Sequence, residues 1–166
     1  MNNESFKFVD GIYQGPGILD GSLNLYDRKD IKSLGCLRKV WGHIDATNSS
    51  LEDLGNLQMV CKYLDIRGTK VKTLKDLHHV STNLNIQDTD VRDLGKLNGI
   101  AGYIDLGKRF GMDSVSKHRY KVKDLKELMM SIPVTDYPLH LDHENPLIRN
   151  MIKHYLETGE RPEFLK

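Results

Sequence analysis

Asp45, Asp65 and Asp105 fall at multiples of twenty residues, with Asn85 in the place between the last two. Two residues before each of the aspartates stands a ring: His43, Tyr63 and Tyr103. Two residues after the first two, and after Asn85, come Thr47, Arg67 and Gln87. Carboxylates interleaved with tyrosines suit one kind of chemistry, which is contact with a basic partner: the rings supply area and the acids supply charge. A solvated ladder with no partner is the plainer reading of the same residues. Like charges set side by side repel and on their own give the fold nothing, which favours the binding reading. The candidate contact set is His43, Asp45, Tyr63, Asp65, Arg67, Asn85, Tyr103 and Asp105.

Two other groups could carry chemistry. Residues 108–126 hold Lys108, Arg109, Lys117, Arg119, Lys121, Lys123 and Lys126 against Asp113 and Asp124, a local charge of +5 in a chain whose net charge is +1. The rest of the chain is therefore near −4. With Phe110, His118 and Tyr120 among them, these cations could meet nucleic-acid phosphates, yet no compact nucleic-acid motif accompanies them. A solvated loop is the favoured reading, and a nucleic-acid partner is the alternative. The run His140-Leu141-Asp142-His143-Glu144 offers metal-type side chains without the helical H-E-x-x-H spacing, so a metal-dependent hydrolase ranks third and no metal site is assigned. His78 and His79 are consecutive, and two neighbouring ligands cannot easily converge. No nucleophile elbow or phosphate loop is present, so the sequence predicts no catalytic residue, no enzyme activity and no cofactor.

The elements that must position the acidic row are coils. From His43, Tyr63 and Asn83 the same twenty-residue pattern runs three times, with apolar residues at the second, fourth, ninth, twelfth, fifteenth and eighteenth places. The columns are Ile44, Leu64, Leu84; Ala46, Ile66, Ile86; Leu51, Val71, Val91; Leu54, Leu74, Leu94; Leu57, Leu77, Leu97; and Val60, Val80, Ile100. A unit this short can bury its apolar side only against its neighbours, which predicts a stacked solenoid. An earlier coil starts near Ser22, with one residue inserted before Ile31, and a fifth start is Tyr103-Ile104-Asp105-Leu106. The second and fourth places alternate with polar residues, as a half-buried strand does, so about five short parallel strands are expected. The acidic residues at the third place then point outward. The spacing of three over the rest of the coil suits one or two tight turns, or a short 3₁₀ or α segment, on the opposite side. Gly35, Gly55 and Gly95 recur at the thirteenth place and permit a bend there.

The stretches Leu64-Asp65-Ile66-Arg67-Gly68-Thr69-Lys70-Val71 and Leu84-Asn85-Ile86-Gln87-Asp88-Thr89-Asp90-Val91 resemble the L-x-L-x-x-(N/T)-x-L core of leucine-rich repeats. Ser49, Thr69 and Thr89 stand where that family usually has asparagine. The resemblance covers residues 22–107 and extends to short-repeat proteins of bacterial or phage type. It implies an α/β fold, a right-handed solenoid with terminal caps, and a ligand held on the concave sheet. By analogy it also implies a protein that holds, blocks or scaffolds a protein partner, an inhibitor or adaptor being one such form.

At 166 residues the chain fits one domain: a cap over 1–21, repeats over 22–107, and a basic loop with a helical cap over 108–166. Phe6 to Leu19 do not match the repeat register. Val122, Leu125, Leu128, Met129 and Ile132 predict a helix stopped by Pro133, and Asn145 with Pro146 opens a second helix that ends at Gly159. The two helices are expected to close the open end of the sheet. Cys36 and Cys61 occupy different places in the repeat and read as reduced thiols. With no signal-like start and no run of eighteen apolar residues, a cytoplasmic location without membrane spanning is expected.

Overall fold

The structure is a computed structural model and describes residues 7–106, 119–143 and 145–166. It opens with an antiparallel pair, β1 (Phe8–Val9) and β2 (Ile12–Tyr13), joined by a turn at Asp10 and Gly11. From there the chain winds as a β-solenoid of about four turns. One sheet holds the repeat strands β4 (Leu23–Asn24), β6 (Ile44–Asp45), β8 (Leu64–Asp65), β10 (Leu84–Asn85) and β12 (Ile104–Asp105), all parallel. A sixth strand, β13 (Arg119–Tyr120), adds to β12 antiparallel.

All six apolar columns face inward. Every member is fully or nearly fully buried except Ile100, which is half-buried, and the first coil contributes Leu23, Leu25, Ile31, Leu34, Leu37 and Val40 in the same way. The inserted residue of that coil is absorbed in the turn before Ile31. Backbone amides of each coil donate to carbonyls of the next, as from Leu64 to Asn83 at 3.0 Å and from Leu84 to Tyr103 at 2.9 Å. Most of the polar backbone is thereby satisfied between coils, and the tight turns close within them.

On the side opposite the sheet the tight-turn form of the expectation is present, and among the described residues no helical segment interrupts the coils. One tight turn per coil is present, with the Leu57 amide donating to the Leu54 carbonyl and Leu77 to Leu74. The next residues form a second parallel sheet: β3 (Ile18–Leu19), β5 (Lys39–Val40), β7 (Met59–Val60), β9 (His79–Val80) and β11 (Gly99–Ile100). Strands of two residues carry no alternation, so the spacing of three could not reveal them. β3 also corrects the reading of residues 12–19 as lying outside the register. Tyr13 is buried and donates its amide to the Ser33 carbonyl at 3.0 Å, and Ile18 and Leu19 pair with Lys39 and Val40. These residues form part of a preceding coil, disguised by its Gly15-Pro16-Gly17 turn.

Each coil bends through two left-handed residues. One is Asp27, Asn48, Gly68 or Asp88, and the other is Gly35, Gly55, Lys75 or Gly95. At the second corner a side chain has no room: a Cβ on Gly55 would lie 2.4 Å from the Gly35 carbonyl oxygen, and one on Gly95 just 2.2 Å from that of Lys75. Lys75 nevertheless carries a Cβ at φ 46°. A third line of bridges runs along this wall, Ile12 to Ser33 to Asp53 and then Thr73 to Asp93. Among the described residues the line breaks between Asp53 and Thr73, the coil step that has to admit the Lys75 side chain.

After β13 come α1 (Val122–Ser131), a 3₁₀ segment over Val134–His140, and α2 (Pro146–Thr158). Asn145 caps α2 by accepting from the Leu147 and Ile148 amides at 3.0 and 3.3 Å, and Gly159 ends it at φ 73°. Leu125, Met129, Leu147, Ile148, Met151 and Ile152 join the solenoid core, and Asn150 donates to the Val91 carbonyl at 3.2 Å. Cys36 and Cys61 are unpaired. Among the described residues no helix is long and apolar enough to cross a membrane.

Candidate functional site

The third-place residues have a folding task that the sequence reading denied them. Asp45 accepts the Thr47 amide at 3.0 Å, Asp65 that of Arg67 at 3.2 Å and Asn85 that of Gln87 at 3.1 Å, while Asn24 does the same for Tyr26 at 3.0 Å. An Asp or Asn side chain that binds the amide two residues on closes the turn leaving the strand. Either residue type serves for this, so the turn accounts for Asp or Asn but leaves open why three of the five are charged.

Asp65 is not freely outward. It is only 9% exposed, with the Arg67 guanidinium 3.1 Å from its second oxygen. Burial pushes its carboxyl above the usual range, outweighing the Arg67 amide and guanidinium that pull it down, and Asp45 beside it adds to the rise. Burial, together with Asp45 and Asp65, also raises the Tyr63 hydroxyl. At Asp65 negative charge is therefore held at a cost.

The first-place residues form a row of rings with one gap. Ser22 Oγ lies 2.9 Å from His43 Nδ1, and His43 stacks on Tyr63 with centroids 4.4 Å apart and planes 13° from parallel. One coil further on, the ring is missing: Asn83 is short, and its oxygen accepts the Tyr103 amide at 3.0 Å. Tyr103 then resumes the row. Tyr63 and Tyr103 remain 38% and 43% exposed. Above Asn83 the missing ring leaves a cavity of about 270 Å³, walled by the two tyrosines and floored by Asp65, Asn85 and Asp105, with Arg119 at its edge.

Arg119 and Lys121, assigned above to the nucleic-acid alternative, belong to this site. Because β13 pairs antiparallel with β12, Arg119 sits opposite Asp105 and its Nε is 3.4 Å from the carboxylate. Its guanidinium lies 5.9 Å from the Tyr103 ring centre, and the Lys121 ammonium 4.5 Å from it, within cation–π range. Lys121 also donates to the Ala101 and Gly102 carbonyls, and Lys123 pairs with Glu127 at 3.5 Å. Lys108, Arg109 and Lys117 lie outside the described residues. Of the third-ranked cluster, Glu144 also lies outside them, while His143 accepts the Asn145 amide and its ring is 6.1 Å from that of His140. Among the described residues no three metal-type side chains converge.

The structure thus brings Tyr63, Asp65, Asn85, Tyr103 and Asp105 to one cavity. His43 and Asp45 stand beside it, and Arg67 touches it only through Asp65. Asn83 was overlooked as a site residue, although its signal was in the column itself, a small residue between two tyrosines.

No protein-family model, curated protein or solved structure matches this chain.

Proposed function

We propose that this chain is a non-enzymatic binding module of leucine-rich-repeat-like type that holds a protein partner on the outer face of its repeat sheet. The carrying observation is the break in the ring row: two exposed tyrosines flank a cavity whose floor is made of acids and an amide. Exposed aromatics around a polar floor provide contact area at little entropic cost, and the acids select a partner of basic character. The repeat residues Leu64 to Val71 and Leu84 to Val91 support the leucine-rich-repeat-like assignment, with right-handed winding, although a second sheet replaces a helical side. The segment from β13 to α2 supports the role of a terminal cap, since β13 takes up the free edge of β12. The unpaired thiols suit a cytoplasmic protein. Holding, blocking or scaffolding are the modes open to such a module, and an inhibitor of bacterial or phage origin is one form of it.

The test is affinity capture by the intact chain beside its Tyr63→Ala/Tyr103→Ala variant, each checked for folding by circular dichroism. Proteins retained by the first and lost by the second support the reading. Equal capture by both overturns it.

A further inference from the structure

The gap over Asn83 is more specific than an acidic face, and its dimensions point to one chemical group. This step rests on the sheet-face reading above. Neighbouring strands are about 4.8 Å apart, so the Tyr63 and Tyr103 rings are separated by two such steps, on the order of 10 Å. One step along the same row, His43 and Tyr63 show what a filled place looks like, two parallel rings at 4.4 Å. A flat group entering above Asn83 would stack on both tyrosines at about the spacing the row already uses.

The surroundings select for positive charge. Asp65 and Asp105 border the floor and Asp45 lies one strand beyond, so a phosphate carried into the gap would meet three carboxylates. Tyr103 already draws two cations to its ring, Arg119 at 5.9 Å and Lys121 at 4.5 Å, and Arg119 also lines the cavity that Tyr103 borders. Arg67 pairs with Asp65 and Arg119 with Asp105, and the Asn85 amide between them adds a neutral acceptor. A group that is flat, cationic and able to donate several hydrogen bonds in its own plane fits all of these demands together. Among protein side chains the guanidinium meets them best: an ammonium is compact and cannot stack on two rings at once, and an imidazolium, though flat, offers two in-plane donors against five and loses its charge near neutral pH.

We infer that the cavity between Tyr63 and Tyr103 is a socket for an arginine side chain of the protein partner, with the guanidinium stacked between the two rings and hydrogen-bonded to Asp65 and Asn85. Arg119 stands at its rim as the chain's own counterpart of the incoming residue.

The experiment titrates N-acetyl-arginine amide, its lysine counterpart and its citrulline counterpart into the isotope-labelled full chain, following the amides of residues 63, 83 and 103 by NMR. Citrulline keeps the planar shape and loses the charge. The expected result is saturable shifts with arginine, affinity at least about tenfold weaker with citrulline, and an intermediate response with lysine. Asn83→Tyr places a ring in the gap at a position that holds tyrosine in two other coils, and should abolish the arginine response while the protein stays folded. No saturable response to arginine, an equal response to citrulline, or an undiminished response in Asn83→Tyr overturns the proposal. Saturation by a nucleoside in place of arginine overturns it as well. The two levels separate in the capture experiment. If Tyr63→Ala/Tyr103→Ala loses the partner and Asn83→Tyr keeps it, the sheet face stands and the socket falls. If neither variant changes capture, both fall.

Discussion

The two faces of one sheet obey different rules in this molecule. Along its inner face the first repeat column reads Leu23, Ile44, Leu64, Leu84, Ile104, all fully buried and all large aliphatics. Along its outer face, one residue earlier in each coil, it reads Ser22, His43, Tyr63, Asn83, Tyr103. Stacking demands that each inner residue fit the coil above and below, so identity propagates down the column. The outer first place bears no such demand, and its changes from coil to coil create a cavity where one coil lacks a ring. The outer third place lies between these cases: closing the turn restricts it to Asp or Asn, and only the choice between those two is free.

The sharpest way to break this contrast lies within β8. Leu64→Ala should destabilise the protein by about 2–5 kcal/mol, because the inner face cannot collapse around a lost isobutyl group held between two coils. Urea denaturation gives the value, and a midpoint close to that of the unaltered chain would mean that the inner columns are not stacked as described. Its neighbour Tyr63→Ala should cost about 1 kcal/mol, the loss of one ring pair with His43, while weakening capture of the proposed partner. A cost as large as that of Leu64→Ala would erase the distinction between the faces.

The inner face was legible in the sequence because burial imposes a period, and every column from Leu23 to Leu97 is where that period puts it. The second sheet was not, since Lys39–Val40 and its counterparts are too short to show alternation. Tyr13 and Leu19 were hidden by a turn of a different length. On the outer face Tyr63, Asp65 and Tyr103 could be placed by counting, but the amide bonds made by Asp45 and Asp65 could not, because they depend on the turn and not on the column. Arg119 was out of reach altogether. It approaches Asp105 through an antiparallel strand of two residues that follows no repeat.

Lys75 tests whether a column can be repaired. It stands in the left-handed corner that Gly35, Gly55 and Gly95 occupy elsewhere, and the bridge line breaks beside it. Lys75→Gly relieves the left-handed strain of a residue with a Cβ and lets the coil close on Gly55, which should stabilise the fold by about 1 kcal/mol. The ion pair it removes, Lys75 to Asp53 at 2.8 Å, is partly exposed and contributes little. Slower hydrogen exchange at Asp76, beside the corner, is the local readout. Unchanged exchange there would separate the break from the side chain.

The smallest effect is at Asp65, where the turn and the charge make opposite demands. Asp65→Asn keeps an acceptor for the Arg67 amide, as Asn24 and Asn85 show in their own coils, and removes a carboxylate that burial disfavours. The folded-state carboxyl titrates above its unfolded value, so the folded form holds the proton more tightly. At pH below the unfolded value both states are protonated and the carboxyl carries no penalty. As pH rises from there through the raised folded value, the unfolded state loses its proton first and the protein loses stability, after which the loss stays constant. The variant has no such proton. Its stability relative to the unaltered chain should therefore increase across that window and level off toward neutral pH, as read from urea midpoints of both proteins over the acid range. A constant difference at every pH would mean that Asp65 ionises as freely in the folded protein as in the unfolded chain. Asp65 would then carry its charge without cost, and the penalty that the proposed incoming cation would relieve would be absent.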